Sequence, residues 1–193
     1  MRYVQPIRDM DQVQEFMEYL DEKNKRNFIM FMLGINLGLR ISDVLQLRVK
    51  DVRNKASIKI YEKKTGKYKQ MIISDELRRA VKEYTKNMKP YDFLLQSRKK
   101  TKTGGQKPIS RVQAYRIMKE TADAIGYTGD VGTHTMRKTF AYHFYQQTND
   151  VATLQAIFGH KRQSDTLRYI GVEQEKVDQV VNNLFRRRKT KQK

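Results

Sequence analysis

The chain has 193 residues, 40 Lys+Arg against 21 Asp+Glu and a formal charge of +19, which is room for one domain with a sizeable core and a positive field suited to a polyanion. It has no cysteine and three histidines, which excludes disulfides and thiolate metal sites and leaves little room for zinc. No run approaches the roughly 18 apolar residues of a membrane span, and Asp9, Asp11, Glu15 and Glu18 rule out a secretory signal, so the expected location is cytoplasmic.

In chain order, Val13, Phe16, Met17 and Leu20 recur at helical spacing and predict a helix over 9–22, capped by Asp9 or Asp11. A more apolar helix follows over 26–37, weakened toward its end by Gly34 and Gly38. Gly38 leads into Arg40 and a short helix over 42–47, with Ser42 as its expected cap. Residues 57–62 alternate Ile58 and Ile60 with Lys59 and Tyr61, and 67–73 alternate less cleanly. Between them lies the turn Lys64-Thr65-Gly66-Lys67, with glycine placed for a positive φ.

A helix over 75–88 carries Leu77, Ala80, Val81 and Tyr84 on its inner stripe, and 91–96 is a short extended piece. The stretch 98–108 is the most loop-like, and as a basic loop it is suited to tracking a phosphate backbone. Helices are then predicted over 110–125, 134–147, 150–158, 163–169 and 173–185, ahead of a basic tail, 186–193. The fold class is therefore α+β and mainly α-helical, with one small antiparallel sheet, in a single domain over 1–185.

Four segments carry chemistry. Arg40 sits between apolar neighbours at a helix-to-helix bend, where a partly buried guanidinium suits bidentate contact with phosphate and Asp43 can orient it. Lys64, on the turn, can donate a proton if nearby cations lower its pKa. His134 and Arg137 share one face at a helix start that Thr133 can cap, and the N-terminal amides there favour an anion. Gly159 reads as a helix C-cap that puts His160 at the mouth of the next loop, and nine residues later Tyr169 ends a short helix. A phenol with a reference pKa near 10 needs surrounding cations or a base to act as a nucleophile. Among 11 tyrosines, its pairing with His160 singles out Tyr169.

Together these segments resemble the catalytic domain of the tyrosine recombinases, the phage integrase family. The resemblance rests on Gly38-Leu39-Arg40-Ile41-Ser42-Asp43, on Lys64 before Thr-Gly, on His134 and Arg137 in a His-x-x-Arg box, on Phe158-Gly159-His160 where the family has Leu-Gly-His, and on Thr166–Tyr169. It implies that Tyr169 attacks a scissile phosphate to form a 3′-phosphotyrosyl link without metal or other cofactor. It implies Arg40 and Arg137 as charge stabilisers, Lys64 as general acid, His134 in proton transfer and His160 on the phosphate. Asp43 supports Arg40. Lys63, Lys67, Lys69, Arg98, Lys99, Lys100, Lys102 and Lys138 are the expected further contacts to double-stranded DNA.

The resemblance also implies a tetramer on DNA, with the 173–185 segment packing on a neighbouring protomer or on its own core. Arg40 falls too early to leave space for the helical core-binding domain that usually precedes this one. A DNA-binding regulator built on the same fold and a type IB topoisomerase-like relaxing enzyme are the competing functions.

Overall fold

Asp9 starts the first helix. Its carboxylate accepts the Asp11 N–H at 2.9 Å, and α1 runs Met10–Lys23 with Val13, Phe16 and Leu20 buried. Asn24 closes α1 and opens α2, Lys25–Leu37, its side chain accepting the Asn27 N–H. These elements belong to a computed structural model that describes residues 4–62, 66–172 and 181. The rings of Phe16 and Phe31 stack at 5.4 Å and lock α1 to α2.

Helix α2 is buried on most of its surface, from Ile29 through Gly34 and at Leu37, as expected of a helix surrounded by its neighbours. α3, Ile41–Gln46, and α4, Val49–Val52, follow. β1, Ser57–Glu62, and β2, Lys67–Ile72, pair antiparallel from Ser57↔Ile72 to Glu62↔Lys67. Gly66 takes φ +66° beside the turn, the conformation the sequence reserves for glycine there. α5, Asp75–Tyr84, is capped by Ser74, whose hydroxyl also donates to Asn36 Oδ1 on α2 at 2.8 Å.

The second half is α6, Arg111–Ala124, α7, Thr133–Thr148, α8, Val151–Phe158, and α9, Gln163–Ile170. The main core gathers around α2. A smaller cluster of Ala141, Leu154, Phe158, Ile170 and Val172 joins α7, α8 and α9. Among the described residues no helix is long and apolar enough to cross a membrane.

Most of the expected elements form within the described residues, with five local differences. The stretch 91–96 is turn rather than an extended piece, touched only by isolated bridges Arg48↔Phe93 and Gln96↔Pro108. α4 was not expected. α5 stops at Tyr84 rather than 88, where Arg53 Nη1 collects the carbonyls of Thr85 and Met88 at 2.8 and 3.0 Å and holds the chain in a turn. Ser42 is not a cap: Arg40 holds that position in extended geometry, because Leu39 and Ile41 both turn inward. Thr133 is not a cap either, since α7 begins at Thr133 after extended Gly132, whose N–H is accepted by Thr135 Oγ1 at 3.1 Å. The expected 173–185 helix and the basic tail fall outside the described residues, apart from Val181.

Two glycines decide how closely α2 and α7 approach. A Cβ on Gly34 would stand 2.6 Å from the Met136 side chain, and one on Gly38 would stand 2.3 Å from the Phe140 ring. Gly38 also ends α2 at φ +57°, a left-handed cap that other residues adopt at a cost. Gly104 has φ +81° with open space around it, so it isolates the conformational part. We predict that Gly104→Ala costs about 1 kcal/mol and Gly38→Ala about 3 kcal/mol or more in urea unfolding. Equal losses at the two positions would show that the α2–α7 approach is not tight.

Candidate active site

The site is assembled where the ends of α2 and α8 meet the start of α7. Arg137 is 6% exposed. Its Nη1 donates to the Gly38 carbonyl and its Nη2 approaches the Phe158 carbonyl at 3.5 Å. The guanidinium carbon lies 3.9 Å from the centre of the Phe158 ring, close enough for a cation–π contact. Phe158 is the last residue of α8, so its carbonyl is among those a helix leaves without an intrahelical partner. Cations are favoured at that end of the helix dipole. Arg40, reaching from the N-cap of α3, brings its Nη2 to the same carbonyl, also at 3.5 Å. Two guanidiniums from distant parts of the sequence thus converge on one oxygen.

His134 stands one helical turn before Arg137. Its Nδ1 lies 3.3 Å from the Tyr169 hydroxyl. The residue keeps an exposed outer edge, yet enough protein surrounds the ring that desolvation is the largest cause of a lowered pKa, followed by Arg137, Arg111, Lys138 and Arg40. Burial and cationic neighbours both disfavour the imidazolium, so the ring is neutral at neutral pH. His160 follows Gly159, which closes α8 at φ +67°. Its Nδ1 pairs with Thr166 Oγ1 at 2.8 Å, which fixes the ring plane. Tyr169 lies on α9 with its ring edge-on to Phe158 at 5.5 Å and close to His160 at 5.6 Å.

The structure therefore brings Arg40, His134, Arg137, His160 and Tyr169 into one place. Lys63 and Lys64 lie outside the described residues. β1 and β2 pair as far as Glu62↔Lys67, which puts Lys67 at the start of β2 and Lys69 two positions along it. Asp43 is in the first turn of α3, where its carboxylate accepts from the Ser42 hydroxyl. Arg98, Lys99, Lys100 and Lys102 are exposed on a loop tied at its base, where Ser97 N–H donates to the Lys107 carbonyl and Arg26 Nη1 to the Gln96 carbonyl, each at 2.9 Å.

Lys138 departs from its expected place among the surface contacts. It is 5% exposed, with its ammonium 4.9 Å from the centre of the Tyr169 ring, because α7 turns that face toward α9. Phe158 and Thr166 were not singled out from the sequence as site residues. Phe158 could have been found from its place beside a C-cap glycine, where orphan carbonyls attract cations. Among the described residues no group of three or more His, Asp or Glu could hold a metal ion.

The model of the phage integrase family matches residues 8–176. The chain is 49% identical over 175 residues to the Bacillus subtilis (strain 168) protein described as "Probable integrase/recombinase YoeC", covering 91% of this chain and 93% of that one. It is 29% identical over 178 residues to a tyrosine recombinase of Pseudothermotoga lettingae, covering 90% of this chain but 59% of that one. Among solved structures, the XerA recombinase superposes with a TM-score of 0.70 at 18% identity, over 95% of this chain and 65% of that one. The XerH recombinase bound to difH substrate before cleavage superposes with a TM-score of 0.68 at 18% identity, over 94% of this chain and 55% of its own. The chain thus spans nearly all of the Bacillus protein and roughly three-fifths of the other relatives.

Two predictions follow from the geometry. Arg137→Lys keeps the charge but loses the planar fork on two carbonyls, and is expected to cost about 2 kcal/mol in urea unfolding; no loss would mean the fork does not hold the site together. The His134 ring, followed by NMR, is expected to titrate below the ordinary 6.5. An unfolded imidazole then binds its proton at a higher pH than the folded one, so this group's effect on stability is absent above about pH 6.5 and turns destabilising as pH falls through that value. A midpoint above 6.5 would contradict the cationic, desolvated setting.

Proposed function

Because this chain belongs to the phage integrase family, we propose that it is a site-specific DNA recombinase that breaks and rejoins strands through a 3′-phosphotyrosyl intermediate. The observation that carries the reading is the Tyr169 hydroxyl at hydrogen-bond distance from His134, whose setting disfavours the imidazolium, beside two guanidiniums gathered on the Phe158 carbonyl.

Tyr169 Oη attacks the scissile phosphorus and its proton passes to His134 Nδ1. The bond from phosphorus to the 5′ oxygen breaks, and Lys64 supplies the proton that makes the leaving group a 5′-hydroxyl. Arg40 and Arg137 stabilise the charge that builds on the non-bridging oxygens, acting from positions fixed before substrate arrives. His160, oriented through Thr166, donates from its other ring nitrogen to the phosphate. A 5′-hydroxyl of a partner duplex then attacks the phosphotyrosine, and the tyrosine leaves with its proton restored. The bond energy stays in the covalent link throughout, so the step calls for no nucleotide or metal.

Double-stranded DNA is the partner in this reading. Lys63, Lys67, Lys69 and the loop with Arg98, Lys99, Lys100 and Lys102 extend contact along the backbone. The segment 173–185, with Val177, Val180, Val181 and Leu184 at helical spacing, joins protomers in a tetramer on two duplexes. Strand exchange between distinct duplexes separates this reading from relaxation of a single one.

Nicked DNA duplexes, incubated in EDTA and run on a denaturing gel, test the reading. Wild type is expected to give a covalent protein–DNA band and Tyr169→Phe none, with binding on a native gel little changed. Arg40→Ala is expected to reduce the band's rate of formation about 10²–10³-fold. A band persisting in Tyr169→Phe would assign the nucleophile elsewhere. Binding itself is expected to weaken steeply between low and high salt, as counterions are released from the phosphates.

A further inference from the structure

Lys138 is the buried titratable group that this chemistry does not use. It follows Arg137 on α7 and stands four residues after His134, so both project from one face of the helix. Both meet Tyr169. His134 lies at the hydroxyl, 3.3 Å away, and the Lys138 ammonium lies over the ring, 4.9 Å from its centre. The phenol is thus held between two side chains of one helix, with Phe158 and His160 edge-on around it. A lysine withdrawn from water is an expensive way to fill space, since an apolar chain of similar length would fill it without desolvating a charge. Burial, and then the nearby Arg8, lower its pKa to about 8, so it keeps its charge through neutral pH.

We propose that Lys138 is a positioning residue for Tyr169, whose buried ammonium holds the phenol ring and favours its phenolate. The proposal rests on the reading of Tyr169 as the nucleophile. A cation beside a phenol lowers the phenol's pKa, and removal from water strengthens the effect. When Tyr169 ionises, the electron pair stays on Oη, the proton passes to His134 Nδ1, and Lys138 faces the new negative charge. The charged and titratable groups around this pair are His134 and Arg137 on α7, His160 before α9, Arg40 at α3, Arg111 on α6, and Arg8 with Tyr142, 5.6 Å apart.

The test is the pH profile of covalent-band formation on nicked duplexes in EDTA, in wild type, Lys138→Met and Lys138→Arg. At pH 7, where Lys138 carries its charge, Lys138→Met is expected to form the band about tenfold more slowly and Lys138→Arg to recover most of the rate. The wild-type advantage over Lys138→Met is expected to shrink as pH rises through about 8 and the ammonium is lost, whereas Lys138→Arg keeps its rate. A folded Lys138→Met that matches wild type in rate and pH profile would overturn the proposal and leave Lys138 a packing residue. Should Lys138→Met fail to fold, wild type and Lys138→Arg carry the test: parallel pH profiles for the two would overturn the proposal. A wild type that gives no band would instead overturn the reading of Tyr169 on which the proposal rests, so the two failures are told apart.

Discussion

The carbonyl of Phe158 is the point on which the site depends. It ends α8, it receives guanidiniums from Arg40 and Arg137, and its ring lies under Arg137 and against Tyr169. Three stretches of sequence that lie far apart are thereby brought within a few ångströms. The approach is possible because α2 carries glycine where α7 crosses it. Gly38 then offers Arg137 a second carbonyl from the end of the same helix. The backbone ends of two helices hold a planar fork that no single flexible acceptor could orient as well.

Gathering cations has an electrostatic consequence. Desolvation is the largest cause of the lowered pKa of His134, and Arg137, Arg111, Lys138 and Arg40 add to it, so the field that suits an anion also disfavours the imidazolium. The repulsion among these groups is partly offset by the α8 dipole and the Phe158 ring, and is relieved further when an anion binds. In the proposed reaction one arrangement would serve ground-state binding, activation of the phenol and stabilisation of developing charge. The effects reinforce one another because they share a partly desolvated setting.

Much of this was legible in the sequence, for identifiable reasons. Helix periodicity, the alternating strands, and Gly38, Gly66 and Gly159 at positive φ are local signals that tertiary packing did not override. His134 and Arg137 stood out because a three-residue spacing at a helix start fixes a shared face, and His160 and Tyr169 because a C-cap glycine marks the first and its pairing with the first marks the second. What escaped were features decided by packing between elements. The caps assigned to Ser42 and Thr133 failed because burial of Leu39 and Ile41, and the Gly132–Thr135 contact, set where those helices begin. The end of α5 is fixed by Arg53, from 32 residues earlier. Lys138 read as one more surface cation in a chain with 40 Lys+Arg, and only the crossing of α7 and α9 shows it against the Tyr169 ring. A main-chain oxygen such as that of Phe158 has no signature in side-chain chemistry at all.

The most direct test of a preorganised site built on Tyr169 is to map the covalent link itself. The protein–DNA adduct would be digested with nuclease and trypsin, and the modified peptide sequenced by mass spectrometry. Cleavage after Arg168 and Lys176 leaves a peptide beginning at Tyr169 and containing no other tyrosine, so assignment is unambiguous. The account predicts a nucleotide joined through its 3′-phosphate to Tyr169. A nucleotide on any other of the 11 tyrosines, or linked through a 5′-phosphate, would contradict it.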